Sequence, residues 1–169
     1  MAYYYLDASA LVKYYIREPG TTWVRRLIDS RSPDGNGWAN TVSIAEVSLT
    51  ESAAAVAILA RMGRIRRGVR DRAFRELLSD AAAGRFRVWP VATEDFHAAA
   101  HLTQRYPLKA YDAVQLAVAL RQQRTLAGYK LAACFISGDA RLLDAARAES
   151  LAVENPFDHL SPEDSAARV

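Results

Sequence analysis

The sequence predicts an α/β fold, a three-layer α/β/α sandwich around a central, mainly parallel sheet. Three observations lead there. Short apolar runs of strand type, with Tyr3-Tyr4-Tyr5-Leu6 and Leu131 to Ser137 the clearest, alternate with longer stretches of helical periodicity. Those two runs carry few polar residues, as expected of strands covered on both faces. Four acids (Asp7, Glu46, Asp112 and Asp139) each stand where a strand-like run hands over to a helix.

The elements follow in order. Ala2 to Leu6 reads as a strand, and Ala10 to Ile16 as a short helix stopped by Glu18-Pro19-Gly20. Thr22 caps a helix reaching Ser30, and Ser32-Pro33-Asp34-Gly35-Asn36-Gly37 is a loop by its turn residues. Trp38 to Val42 is a second strand, followed by a long helix from Ser43 to about Met62. Gly63 and Gly68 punctuate a basic stretch before a helix over Val69 to Ala83. Phe86 to Val91 is a strand that Pro90 either ends or confines to the sheet edge. Thr93 caps a helix that stops before Pro107. Asp112 to Arg124 is the most clearly apolar-periodic helix, and Val114, Leu116, Ala117, Val118 and Leu120 predict its near-complete burial. Leu131 to Ser137 is a buried strand, Asp139 to Ala148 a helix, and Leu151 to Val153 a last strand ending at Asn155-Pro156. Residues 1–157 are expected to form one domain, and residues 158–169 a mobile tail.

Composition narrows the class. A chain of 169 residues suits one domain that removes roughly 70% of its unfolded surface from water. No apolar run approaches the ~20 residues of a membrane span. Asp7 comes too early to leave room for a signal-peptide core, so a cytoplasmic protein is expected. Cys134 is the only cysteine, which excludes an intramolecular disulfide and a cysteine-based zinc site.

The net charge of +3 decides nothing, but its distribution is uneven. Nine arginines between Arg61 and Arg87 face three acids, Asp71, Glu76 and Asp80. Arg64, Arg66, Arg67 and Arg70 are therefore candidates for RNA phosphate contact. A solvated helix surface accounts for the same stripe equally well. His97 and His101 have an i, i+4 spacing that can hold zinc, but they lack the intervening Glu and a nearby third ligand. Tyr14 and Tyr15 are better candidates for partner contact than Tyr3-Tyr4-Tyr5, which reads as strand packing.

Each of the four acids has an ordinary structural role available. Ser43-x-x-Glu46 and Asp112-x-x-Gln115 fit capping boxes, and Asp7 and Asp139 can cap the helices that follow them. Together they say more, because parallel strands bring their carboxyl ends to one edge, where open α/β sheets bind ligands. Two carboxylates ~4 Å apart repel by roughly 4 kcal/mol at an effective dielectric of ~20. A converging set of four therefore needs a cation. Hard oxygen donors without cysteine favour Mg²⁺ or Mn²⁺.

At these same residues the chain resembles the PIN-domain ribonucleases, especially the toxins of VapBC-type toxin–antitoxin pairs. The matching stretches are Tyr5-Leu6-Asp7-Ala8-Ser9-Ala10-Leu11-Val12-Lys13 with Glu18-Pro19-Gly20, then Ser43-Ile44-Ala45-Glu46-Val47. Tyr106 to Ala117 follows, then Phe135-Ile136-Ser137-Gly138-Asp139, closing on Val153-Glu154-Asn155-Pro156. The resemblance implies a PIN-like fold and Mg²⁺- or Mn²⁺-dependent cleavage of RNA. It implies metal-ligand and catalytic roles for Asp7, Glu46, Asp112 and Asp139, with Ser9 and Ser137 as hydroxyl neighbours. It further implies a homodimer and a small antitoxin partner. The Arg61–Arg87 stretch is longer and more basic than the minimal domain needs, and Ser137 stands where Thr is more usual. Two other readings fit the residues: a PIN nuclease of RNA processing or DNA without an antitoxin, and a non-catalytic module that binds RNA or protein.

Overall fold

A computed structural model of the chain describes residues 1–165. Five strands form one all-parallel sheet: β1 (Ala2–Leu6), β2 (Asn40–Ala45), β3 (Arg87–Trp89), β4 (Ala133–Ile136) and β5 (Ala152–Glu154). Their order across the sheet is β3-β2-β1-β4-β5. The helices are α1 (Ala8–Tyr15), α2 (Thr21–Asp29), α3 (Glu46–Arg61), α4 (Arg67–Ala82), α5 (Thr93–Arg105), α6 (Ala110–Ala127), α7 (Ala140–Ala148) and a single turn, α8 (Pro162–Ser165). The edge position of β3 matches one of the two readings that Pro90 allowed, and β1 and β4 lie side by side inside the sheet. Among the described residues, no helix is long and apolar enough to cross a membrane.

Consecutive strand residues point to opposite faces, and the two cores record this alternation. Leu6, Ile44 and Ile136 pack with α1, α2, α3 and α4 on one face. Their immediate neighbours Tyr5, Ala45 and Phe135 pack with α5, α6 and α7 on the other. The result is three layers. Helix α6 carries an unbroken buried run from Ala113 to Ala119, as its apolar sequence predicts.

Several boundaries differ from expectation, and one matters for the site. Strand β2 runs through Ser43, Ile44 and Ala45, which pair with Arg87, Val88 and Trp89 of β3. Helix α3 therefore starts at Glu46, three residues later than the Ser43-x-x-Glu46 pattern suggests. Ser43 is buried in the strand, where its hydroxyl accepts from Gln122, and it caps nothing. Trp38 lies outside β2, and the guanidinium groups of Arg31 and Arg85 stand 3.6 and 3.4 Å from its ring. Cys134 is half-buried rather than enclosed, and burial still pushes its thiol up to about 11.

The segment expected to be a mobile tail is tied down as far as it is described. Asp164 accepts from the backbone and hydroxyl of Thr22 at 3.1 and 2.9 Å, and Arg17 donates to the Glu163 carbonyl at 2.7 Å. A short carboxylate beside an orphan helix N-terminus makes such a clasp, and polar tail composition conceals it. Residues 166–169 lie outside the described part.

Gly20 is where the closing segment meets the body. It sits at φ +87°, and a Cβ there would fall 2.6 Å from the Pro156 carbonyl oxygen. Gly20→Ala is thus expected to lower stability by about 1–3 kcal/mol, through a left-handed backbone and a backbone clash together. Urea unfolding checks this, and an unchanged midpoint would remove Gly20 as the fixed point of this contact.

Candidate active site

The carboxyl ends of β1 and β4 place two acids side by side at the sheet edge. Asp7 follows β1 and caps α1, its Oδ1 accepting from the Ala10 backbone at 2.9 Å. Asp139 follows β4 and caps α7, accepting from the Arg141 and Leu142 backbones at 2.8 and 3.2 Å. The capping reading of both acids is correct. Both also line a cleft of about 640 Å³.

Two hydroxyls tie the acids together. Ser9 Oγ lies 2.8 and 3.0 Å from the two Asp7 oxygens, and Ser137 Oγ donates to Asp7 Oδ2 at 2.8 Å. Ser9 Oγ in turn accepts from the Gly138 backbone at 2.7 Å, and Ser137 Oγ from the Asp139 backbone at 3.0 Å. The two serines thus lock the Asp7 rotamer and stitch β1 to the β4–α7 turn.

Asp112 lines the same cleft from the first turn of α6. That helix begins at Ala110, so Asp112 lies inside its first turn instead of capping it. Glu46 does not line the cleft. As the first residue of α3 it is exposed, and the acid that α3 sends into the cleft is Glu51. Glu46 does stand at the β2–α3 junction, as read from the sequence, but the cleft-facing stripe of this helix is Glu51, Ala55, Ile58, Leu59 and Met62. That i, i+4, i+7, i+8, i+11 spacing is one helical face interrupted by one carboxylate, the signal that identifies Glu51 in the sequence.

Gln115, read as a capping-box partner, is buried and connects the layers. Its amide donates to Glu51 Oε2 at 2.7 Å and to Ser48 Oγ at 2.8 Å, while its carbonyl accepts from the Tyr5 hydroxyl at 2.9 Å. Glu51 is thereby aimed from the helix below it.

Burial and neighbouring charge act on three of the cleft acids. Burial raises Asp7 from the ordinary 3.8 to about 6, against the lowering effect of its hydrogen bonds, and the Glu51 charge adds to the rise. Burial and the Asp112 charge raise Glu51, and burial and the Asp139 charge raise Asp112. Five acids line the cleft (Asp7, Glu18, Glu51, Asp112 and Asp139) against two cations, Lys13 and Arg64. Among the described residues no three His, Cys, Asp or Glu side chains form a ready-made ion cage. This oxygen-only donor set with surplus negative charge still fits Mg²⁺, which keeps several waters and takes one or two protein carboxylates.

Of the arginine candidates, Arg64 reaches the cleft wall. Arg66 and Arg67 are exposed at the start of α4, and Arg70 is paired with Asp71 at 2.6 Å. His97 and His101 lie exposed on α5. Tyr14 and Tyr15 donate to Asp29 and Asp80 at 2.7 and 2.9 Å.

A parallel sheet with carboxylates gathered at the ends of its central strands defines an acidic-cleft α/β/α domain. The chain belongs to the PIN domain family, whose sequence pattern it matches over residues 4–148. Solved structures share the fold. PAE2754 from Pyrobaculum aerophilum superimposes with a TM-score of 0.60 at 20% identity, covering 98% of this chain and 90% of that one. FitAB bound to an IR36 DNA fragment gives 0.59 at 17% identity, covering 90% and 94%. VapC20 of Mycobacterium tuberculosis, a sarcin–ricin loop cleaving toxin, gives 0.58 at 17% identity, covering 83% and 93%. No curated protein sequence matches the chain.

Proposed function

We propose that this chain is a Mg²⁺- or Mn²⁺-dependent endoribonuclease acting as the toxin of a VapBC-type toxin–antitoxin pair. The observation that carries the proposal is the convergence of Asp7, Glu51, Asp112 and Asp139 on one cleft at the carboxyl end of the sheet. The fold shared with a toxin that cleaves the sarcin–ricin loop, and with FitAB, supports this choice among PIN activities.

Asp7, Asp112, Asp139 and Glu51 would hold the ion. When bound, a divalent cation polarises phosphoryl oxygens and lowers the pKa of water at neutral pH. The chain's own contribution is orientation. Ser9, Ser137 and the Ala10 amide fix three directions around the Asp7 carboxylate, whose two oxygens accept about four donors. Gln115 fixes Glu51 in the same way. Lys13 and Arg64 bring positive charge to the edge of the cleft, and Ala55, Ile58, Leu59 and Met62 form an apolar wall that limits water. In this reading the protein also pairs with a small antitoxin and forms a homodimer.

The deciding experiment incubates purified protein with structured and single-stranded RNA in Mg²⁺, Mn²⁺ or EDTA. Discrete cleavage products with either metal, absent in EDTA, are expected. Cleavage undiminished by EDTA would overturn the metal-dependent reading. RNA binding without cleavage under every condition would favour a non-catalytic module, and cutting of DNA in preference to RNA a different PIN nuclease.

A further inference from the structure

Phe157 lies on the 3-10 turn Pro156–Asp158 and is 43% exposed, while the backbone of that turn is held in place. The Asn155 side chain accepts from its backbone at 3.0 Å, and Pro156 is buried against Gly20. The ammonium of Lys13 sits 4.0 Å from the Phe157 ring centroid. Lys13 is itself only 3% exposed and donates to Glu18 at 3.3 Å. An ammonium has three donors, and these two contacts leave one to spare.

The position of this pair matters more than its packing. Phe157 and Lys13 line the acidic cleft and also an adjoining cavity of about 340 Å³, which shares Glu18, Leu59 and Arg64 with it. Charge reverses between the two spaces. The cleft has five acids against two cations, and the adjoining cavity has Lys13, Arg17 and Arg64 against Glu18 alone. A cation-seeking pocket thus passes into an anion-seeking one, with an aromatic ring at the boundary.

We infer that Phe157, Lys13, Arg17 and Arg64 form a nucleotide subsite for RNA, in which Phe157 stacks on the base beside the scissile phosphate and the three cations take the next phosphate. The inference rests on the nuclease reading above and adds how the strand is gripped. One acidic cleft cannot both gather metal and hold a polyanion along its length; a basic pocket adjoining it can. Stacking on a rigid aromatic is tolerant of base identity and costs little ordering entropy, so the subsite grips the strand without choosing sequence. Glu18 neutralises only one of the three cations, and the net positive charge left over suits a phosphate.

The test uses the full chain in EDTA, with fluorescent single-stranded RNA oligonucleotides that are intact or carry one abasic nucleotide at each position in turn. Phe157→Leu keeps the apolar bulk and removes the π-face, and is expected to weaken binding of intact RNA about five- to a hundredfold. One abasic position should weaken the wild type by a similar factor and leave Phe157→Leu unaffected. Arg17→Gln should weaken all oligonucleotides alike and flatten the salt dependence by about one ion. Phe157→Tyr should bind like the wild type. If Phe157→Leu weakens intact and abasic RNA equally, the ring acts only structurally and the subsite is overturned. If the wild type binds no RNA and cuts none with metal added, the nuclease reading falls and the subsite with it. Cleavage by the wild type with unchanged affinity in Phe157→Leu overturns the subsite alone.

Discussion

Asp7→Asn is expected to abolish RNA cleavage while making the metal-free protein more stable at pH 7. Burial holds the Asp7 carboxyl at about 6, against 3.8 in an ordinary setting. Between those values the folded protein keeps a proton that the unfolded chain has released, so stability falls as pH rises from about 4 to 6. By pH 7 the carboxylate is ionised in both states and the whole burden is present. Two units at about 1.4 kcal/mol each make it roughly 3 kcal/mol as an upper figure. Asparagine carries no charge and can still accept from the Ala10 backbone, so a gain of about 1–3 kcal/mol is expected at pH 7, shrinking towards zero at pH 4. Added Mg²⁺ should raise the wild-type melting temperature and leave the variant unmoved. Melting curves at the two pH values, with and without metal, check all of this. An Asp7→Asn protein less stable than wild type at both pH values would overturn the account, as would retained cleavage.

Glu51→Gln is expected to lower cleavage roughly 100- to 1,000-fold, the scale on which single charge-stabilising groups act, with Glu46→Gln close to wild type. Glu51 lines the cleft, receives Gln115 at 2.7 Å and is raised by burial and the Asp112 charge. Glu46 is exposed at the start of its helix and outside the cleft. Both variants retain size and hydrogen-bonding atoms, so a difference between them reports charge in the cleft and not packing. Single-turnover rates at saturating metal measure it. The reverse ranking would restore Glu46 to the site and reject the position of α3 relative to β1.

These two acids mark where the sequence is readable and where it is not. Asp7 and Asp139 follow apolar strands whose ends leave little freedom, and they serve as helix caps, so local chemistry alone locates them. Asp112 is equally legible because α6 is apolar enough to be recognised as a buried helix. The acid of α3 is different: Glu46 stands at the strand–helix junction as read, but the carboxylate that lines the cleft is Glu51, and the bounds of β2 and α3 were not legible either. Thr41-Val42-Ser43-Ile44-Ala45 suits a strand and a helix start alike, and Ser43-x-x-Glu46 imitates a capping box. The choice is made by pairing with Arg87, Val88 and Trp89, more than forty residues away in sequence (Ser43 to Arg87), which no local pattern contains. Phe157 and Asp164 escape for a related reason: a polar closing segment looks free until Gly20 and Thr22 are brought beside it.

The sheet ends on both sides in strands of three residues, β3 and β5. Long unpaired edges are templates for strand addition and aggregation, and short ones offer little purchase. Recruitment of another polypeptide by extending this sheet is therefore disfavoured. A second copy or a small protein partner has to be received by the helices, and surface substitutions there, not at the sheet margins, are the ones that should alter how this chain assembles.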